Sequence, residues 1–498
     1  MTSFREPLFE LPISIPARGS RGRLRALHGQ LRAAIIDGRL QAGVHMPPTR
    51  ALATALGVSR NTVLAAYESL LGEGYLTARP GAGTYVARVL SNPPSRKIPL
   101  PTPTRDHRLN TFWRAPAAPL LNDPPRAEFP LNFRLGTPDK THFPFDIWRR
   151  LSARALRAIS KAPPAELEFQ GRQRLRETIS THVSVARAVA CQPDDIVVTA
   201  GAQQAFDLIA RILVNSGRTT VAVEDPGYPA LRKAFALAGA KVVPIRVDQE
   251  GLVVERLPRN TRIICVTPSH QYPLGAVMSL RRRAALLEFA HTHGAVVIED
   301  DYDGEFRFGG GPVDALQTLD RTGCVFYVGT FSKCLFPDIR LGFVVAPAWA
   351  RRALISAKYL TDFQSPAHAQ DTLASFIAEG YLARHVRRMR RIYDERRQLL
   401  FNRLQDGFSG LLEPLPSPAG LHLTALSKSL ADENRIVAQA AQHGIRISPL
   451  RPFFAGRSTQ AGIVLGYGAI DQTAIVGALE RLQRALNRPG ARAPTSKP

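Results

Sequence analysis

Six short runs rich in β-branched residues follow one another between positions 195 and 331: "DIVVTAG", "TTVAVEDP", "AKVVPIRV", "RIICVTP", "AVVIEDD" and "VFYVGTF". Several are separated by stretches with helical spacing, such as "AQQAFDLIARILVN" and "RRRAALLEFAHTHG". Strand-like runs that alternate with helical stretches fit crossover connections. The pattern therefore predicts a mainly parallel sheet with crossover helices, in an α/β domain spanning residues 131–488.

A different pattern precedes it. In "RLRALHGQLRAAIIDG" the residues Leu24, Leu27, Leu31 and Ile35 recur at helical spacing, and Gly38 ends the run. A short helix is expected over "TRALATALG" with Thr49 as its N-cap. After the turn "GVS", Ser59 is expected to cap a third helix, "RNTVLAAYESLLGEG", burying Val63, Tyr67 and Leu70. Two strand-like pieces, "GYLTAR" and "GTYVAR", flank the turn "PGAG". Helices followed by a β-wing make residues 18–88 a winged helix-turn-helix.

Residues 89–130 contain "SNPPSRKIPLPTPTRDH" and "APAAPLLNDPPRAEFP", which are proline-rich and without periodic apolar residues. Proline removes amide donors and stiffens the chain, so an extended linker is expected there. The last residues, 489–498, read as a disordered tail. The formal charge of +24 points to a polyanionic partner. Four scattered cysteines without a C-x-x-C pair argue against a disulfide framework and a zinc site. With no basic-then-apolar leader and no run of membrane-spanning length, a cytoplasmic protein is expected, with no metal and no membrane partner.

The third helix of a helix-turn-helix sets its first residues in the major groove, which here are Ser59, Arg60, Asn61 and Thr62. Arginine can pair two hydrogen bonds with guanine, and hydroxyls at a helix start can hold phosphate. Arg50, opening the second helix, and Thr84, on the wing, complete the candidate contacts with double-stranded operator DNA. Residues 18–88 hold ten arginines against three acidic residues. At these positions the sequence resembles the GntR family of bacterial regulators, from "LRAAIIDG" through the wing "RPGAGTYV". The stretch "MPPTR" departs from that family's usual pattern, in a way that bears on packing more than on DNA contact.

The large domain carries a second constellation. In "VGTFSKCLFPDIRLGF" a lysine, Lys333, stands among Thr330, Ser332 and Arg340. A lysine that readily loses a proton can hold an aldehyde as a Schiff base. A phosphate needs amides at a helix start plus a cation, and "TAGAQQAF" supplies Gly201, Ala202 and Gln203 leading into a helix. A pyridine ring acts as an electron sink when a carboxylate keeps its nitrogen protonated, and "AVVIEDDYDGEF" ends a buried strand in Asp300, Asp301 and Tyr302. Tyr228, in "EDPGYPA", offers a ring to stack on.

Taken together and in this order, these residues resemble a fold type I pyridoxal-phosphate enzyme of the aminotransferase class. The resemblance makes Lys333 the Schiff-base lysine, Asp300 the partner of the ring nitrogen, Tyr302 a donor to the phenolic oxygen and Tyr228 the stacking ring. Where that class has an asparagine before a proline, this chain reads "SHQYPLG", so Tyr272 holds the place and His270 or Gln271 is left to reach the ring oxygen. In "AGIVLGYGA", Val464 falls where an arginine usually clamps the substrate carboxylate, with Arg451 and Arg457 as conceivable substitutes.

Both halves together resemble the MocR-type subgroup of GntR regulators, and "VTPSHQYPLG" and "EDDYDGEF" fit that subgroup better than the aminotransferases themselves. The resemblance implies a homodimeric regulator that binds pyridoxal phosphate and responds to it, or to its adduct with a small amine or amino acid. Net catalysis is not expected. The competing readings are an active aminotransferase with an added DNA-binding domain, and a domain that serves only for dimerisation. The arginine-dense segment around residues 384–403 is expected to be an amphipathic helix packing through Val386, Met389 and Tyr393, with a second DNA-facing surface as its alternative.

Overall fold

The computed structural model describes residues 13–16, 22–88, 129–163, 167–309 and 314–487. They belong to two compact units, one within residues 1–122 and one within 123–498. The expected linker, apart from its last two residues, and the expected tail lie outside the described residues.

In the first unit, helices α1 (Arg23–Ile36), α2 (Thr49–Leu56) and α3 (Arg60–Gly72) precede an antiparallel hairpin of β1 (Leu76–Arg79) and β2 (Gly83–Val86). The core is built from Leu27, Leu31, Ile35, Met46, Val63, Tyr67 and Leu70. Leu24 is not part of it and stands 42% exposed: it shares the face of Leu27 but lies in the first turn of α1, at the end of that core. Thr49 also differs from expectation. It is the first helical residue, and Pro48 occupies the cap with no side-chain hydrogen bond. Proline's fixed φ, here −54°, leads the chain into a helix without a hydroxyl. Met46 of the unusual "MPPTR" stretch is fully buried, so the departure is indeed one of packing.

The second unit is built on an eight-stranded sheet. Its strands are β4 (Ile196–Thr199), β5 (Thr220–Asp225), β6 (Lys241–Asp248), β7 (Gly251–Leu252), β8 (Thr261–Val266), β9 (Val296–Asp301), β10 (Val325–Thr330) and β11 (Gly342–Val345). Their order across the sheet is β4-β11-β10-β9-β8-β5-β6-β7. The pairs β10–β9, β9–β8, β8–β5 and β5–β6 are parallel, while β11 is antiparallel to both its neighbours. A short β3 (Leu131–Asn132) lies outside this sheet.

Both faces of the sheet are buried, which explains the continuous apolar runs. Val197 and Ile298 face one cluster with Phe206 and Ile209 of α6 (Ala202–Leu213), Phe235 of α7 (Pro229–Leu237) and Leu354 of α9 (Arg351–Asp362). Ile196 and Val198 face another with α4 (Phe145–Lys161), α5 (Gln173–Arg187), α10 (Ala367–Ala378) and α11 (Tyr381–Gly407). Leu286 of α8 (Leu280–His293) closes a third with Val297. The chain ends in a four-stranded sheet ordered β12 (Leu412–Pro414), β13 (His422–Ser427), β16 (Ala461–Gly466) and β15 (Ser448–Pro449). Around it run α12 (Leu430–Gln442), α13 (Gln472–Leu486) and β14 (Ile445–Arg446), the last paired with β3.

Helix α11 is the arginine-dense segment. Val386, Met389 and Tyr393 are buried as the spacing predicts. Arg396 is buried as well, with its guanidinium 2.6 Å from Asp139 and 2.7 Å from the Gly468 carbonyl. The pair ties α11 to the segment that leads from β3 to α4.

Candidate functional site

The carboxyl ends of the strands position the pocket, as expected where an open α/β sheet binds a ligand. Strand β4 ends at Thr199 and turns through Gly201 into α6. Gly201 has φ 83°, and a Cβ there would meet the Arg340 guanidinium at 3.0 Å, so the glycine lets the cation approach the helix start. The first amides of α6, at Ala202 and Gln203, have no intrahelical acceptors. Arg340 donates to the Ala200 carbonyl at 2.6 Å and itself sits in the left-handed region at φ 47°. Such backbone strain in a non-glycine residue is concentrated at ligand sites.

A cavity of about 250 Å³ opens above these groups. Its wall brings together Tyr228, Asp300, Tyr302, Thr330, Ser332, Lys333 and Arg340, along with Ala202 and Gln203. Every candidate for the cofactor site except Gly201, His270 and its alternative Gln271 is on that wall. Gly201 lies directly beneath, against Arg340. His270 is fully buried behind Tyr302, whose hydroxyl stands 2.9 Å from its Nδ1 and donates toward its carbonyl at 3.1 Å. The same imidazole meets Asp303 at 3.1 Å and Ser417 Oγ at 2.8 Å. Ser417 gives its own hydrogen to the Ala419 carbonyl, so His270 Nε2 carries the proton in that bond. Rather than reaching into the cavity, His270 orients Tyr302. Gln271 is likewise buried, with its amide on the Pro226 carbonyl.

Lys333 Nζ donates to the Gly136 carbonyl at 2.9 Å. Burial lowers its pKa, with Asp303 and Asp300 opposing and Arg340 and Arg134 assisting. An amine so placed gives up its proton more readily than an exposed lysine. Asp300 is pushed well above the usual carboxylate range, first by burial and then by the neighbouring Asp301 and Asp303. Its Oδ1 is buried with no hydrogen-bond partner, and so is Ser332 Oγ. Asp301, by contrast, is held by Arg187 at 2.7 Å and the Tyr327 hydroxyl at 2.6 Å. A cationic ring nitrogen set against Asp300 Oδ1, with an anion at Ser332, Arg340 and the α6 start, satisfies the groups the protein leaves unpaired. The donor set therefore fits a phosphorylated pyridine aldehyde.

Gly136, Asp303, Leu421 and His422 also line the cavity and were not singled out from the sequence. Asp303 stands in the quoted "EDDYDGEF" and was within reach of sequence reasoning. Gly136 gave no local signal, since its role is a close approach in which a Cβ would meet Lys333 Nζ at 2.4 Å. Val464 is fully buried in β16, in a small apolar cluster with Leu450, Phe453 and Phe454. Arg451 and Arg457 are both exposed and are not among the residues lining the cavity, so neither takes the place of the clamp.

In the first unit, Ser59 accepts from the Thr62 amide at 3.1 Å, which caps α3. Arg50, Arg60 and Asn61 are exposed, while Thr62 and Thr84 are half-buried. Thr84 pairs with Ala78 in the wing, and its carbonyl accepts from the Met46 amide at 2.8 Å.

Comparison with known proteins accords with this geometry. Residues 25–86 match the bacterial regulatory proteins of the gntR family, and residues 165–463 match aminotransferase class I and II. The chain is 37% identical over 465 residues to the probable rhizopine catabolism regulatory protein MocR of Rhizobium meliloti, covering 93% of each chain. It is 33% identical to the HTH-type pyridoxine biosynthesis transcriptional regulator PdxR of Corynebacterium glutamicum, over 96% of this chain and 99% of that one. Among solved structures, the α-aminoadipate aminotransferase of Thermus thermophilus, complexed with N-(5'-phosphopyridoxyl)-L-leucine, superposes with a TM-score of 0.67. It is 27% identical and is matched over 74% of this chain and 94% of its own. A gntR-type winged helix-turn-helix joined to a fold type I aminotransferase domain, in a chain alike end to end to MocR and PdxR, places this protein in the MocR-type family of HTH-type transcriptional regulators.

Proposed function

We propose that this regulator holds pyridoxal phosphate at Lys333 and that the bound cofactor, alone or joined to a small amine, changes how the protein binds its operator. The observation that carries the reading is the buried, unpartnered Oδ1 of Asp300 in the wall of the cavity that contains Lys333. Leaving such an atom unpaired costs about 1–3 kcal/mol, and more when it is charged. A protonated ring nitrogen removes that cost. When bound, the cofactor supplies an aldehyde to the lysine and an electron-withdrawing ring.

The chain's own groups would each have a part. Arg340, Ser332, Thr330 and the amides of Ala202 and Gln203 hold the phosphate. Tyr302, positioned beside His270, would turn its one hydroxyl hydrogen from the His270 carbonyl to the phenolic oxygen, and Tyr228 covers the ring. Arg60, Asn61, Ser59 and Thr62 enter the major groove, with Arg50 and Thr84 on the flanking backbone. For the two events to be coupled, the ligand must bind one arrangement of the protein more tightly than another. A homodimer would offer two such helices to two half-sites.

The test is operator binding by the full chain to DNA from its own upstream region, with and without pyridoxal phosphate, beside Lys333→Ala. The reading predicts an affinity that changes with cofactor in the native chain and not in the variant. Equal responses in both would overturn it.

A further inference from the structure

Beside Leu135, Tyr272 and Leu421, part of the cavity wall is backed by apolar side chains. Val464 packs with Leu450, Phe453 and Phe454, and against this cluster lie Leu135 and Tyr272, which both face the cavity. Leu421 adds to the same lining. The Tyr272 ring meets Tyr228 at 5.7 Å, Phe453 at 5.4 Å and His422 at 5.1 Å, all edge-on.

The charges tell the same story. Among the described residues that line the cavity, the cations are Lys333 and Arg340, and the anions are Asp300 and Asp303. Arg340 already donates to Ala200 beside the α6 start. Arg134, next to Leu135, has an interaction of its own and is not part of the lining. His422 does not supply a charge either. Burial holds its pKa well below the ordinary value, so it is a neutral imidazole. Its Nε2 lies 3.0 Å from the Pro273 carbonyl and must donate to it, which leaves Nδ1 as an acceptor. An incoming carboxylate would lose its hydration to leucines, aromatic edges and an acceptor nitrogen, with only the neutral tyrosine hydroxyls as donors there and no cation beyond Lys333 and Arg340 among the described lining residues. An incoming amine with an apolar body would lose little.

We propose that the ligand taken up beside Lys333 is a primary amine with an apolar or aromatic body and no carboxylate. The proposal rests on the pyridoxal-phosphate reading above and narrows it to one class of effector.

The experiment uses the full chain reconstituted with pyridoxal phosphate and dialysed free of excess cofactor. Visible absorbance of the bound cofactor, lost in Lys333→Ala, is recorded first. Its absence would remove the cofactor reading, and with it this proposal. With cofactor bound, 2-phenylethylamine and phenylalanine are titrated at matched free-base concentrations, following the spectrum and the melting temperature. The two ligands share a side chain and differ in the carboxylate. The amine is expected to half-saturate at a concentration lower by about tenfold or more, the scale of one lost charge-assisted contact. Equal binding, tighter binding of phenylalanine, or no response to either would overturn the proposal while leaving the cofactor reading standing. Leu135→Arg, which sets a guanidinium on the half-buried wall without burying it in the core, is expected to shift the preference toward phenylalanine. An unchanged ratio in a folded variant with bound cofactor would count against the apolar wall as its cause.

Discussion

Lys333 Nζ donates a 2.9 Å hydrogen bond to the carbonyl of Gly136, a residue 197 positions earlier in the chain. The bond holds the amine at the cavity wall, within the field of Asp303 and Asp300. A side chain at position 136 would occupy the place of the amine, because a Cβ would lie 2.4 Å from it. Gly136→Ala is therefore expected to displace Lys333 and also to strain a backbone at φ 60°. Cofactor retention after dialysis, read by absorbance, should fall well below that of the native chain while the fold persists by circular dichroism.

Asp300→Asn tests the ring-nitrogen partner. The amide keeps the shape but cannot hold a proton on the nitrogen by charge. Hydrogen bonds to charged groups contribute about 1.5–3 kcal/mol, so cofactor affinity should weaken roughly tenfold to a hundredfold. Spectroscopic titration of the apo chain with pyridoxal phosphate measures this directly. An affinity equal to that of the native chain would remove Asp300 from its assigned role.

Arg60→Ala should weaken operator binding by about 1–3 kcal/mol if its guanidinium pairs with a base, and relax discrimination at that position. Competition with single-base variants of the operator separates this from a phosphate contact, which would weaken all sequences alike. Unchanged affinity in a gel-shift titration would refute α3 as the reading helix.

Ser59→Ala removes the cap of that helix. A lost N-cap hydrogen bond costs about 0.5–2 kcal/mol. Hydrogen exchange in the full chain should show faster opening of the α3 amides, while those of β9 and β10 in the other unit stay unchanged.

Asp139 carries a pH prediction. Although burial alone would raise its pKa, hydrogen bonds from Thr141 and Arg396 bring it down to about 2 from an ordinary 3.8. A carboxyl depressed on folding adds stability that is fully present above about pH 4 and is lost as pH falls toward 2. Asp139→Asn should therefore lower stability near neutral pH and flatten its dependence across that acidic window. Because Arg396 would remain buried without its carboxylate, keeping only neutral acceptors such as the Gly468 carbonyl, the loss at neutral pH is expected to reach at most roughly 3–5 kcal/mol. Denaturant melts at a series of pH values would read both effects.

Local spacing determined a good part of this protein. The parallel sheet was legible because short β-branched runs such as "VFYVGT" alternate with stretches of helical spacing. Ser59 as a cap was legible because capping is settled within three residues. Lys333, Asp300, Tyr302 and Arg340 could be singled out because they stand at or just beyond the carboxyl ends of strands the pattern declared, or in the loop that follows, and because their order resembles that of a known class. Thr49 and Leu24 show the limit even locally, since Pro48 could start α2 without a hydroxyl and the first turn of α1 lies at the end of the core its spacing points to.

The rest depended on which distant segments meet, and no local pattern encodes that. Gly136 reaches Lys333, and Arg396 reaches Asp139, only because the chain returns across the sheet. His270 carries the same ring chemistry on the cavity wall or behind it, and packing against Asp303 and Ser417 decided for the latter. Val464 marked a missing arginine in the sequence. Only the tertiary structure shows it buried among Leu450, Phe453 and Phe454, with Leu135 and Tyr272 packed between that cluster and the cavity. Propensity acts over a turn or a strand, whereas a binding site is made by side chains whose neighbours in space are far apart in the chain.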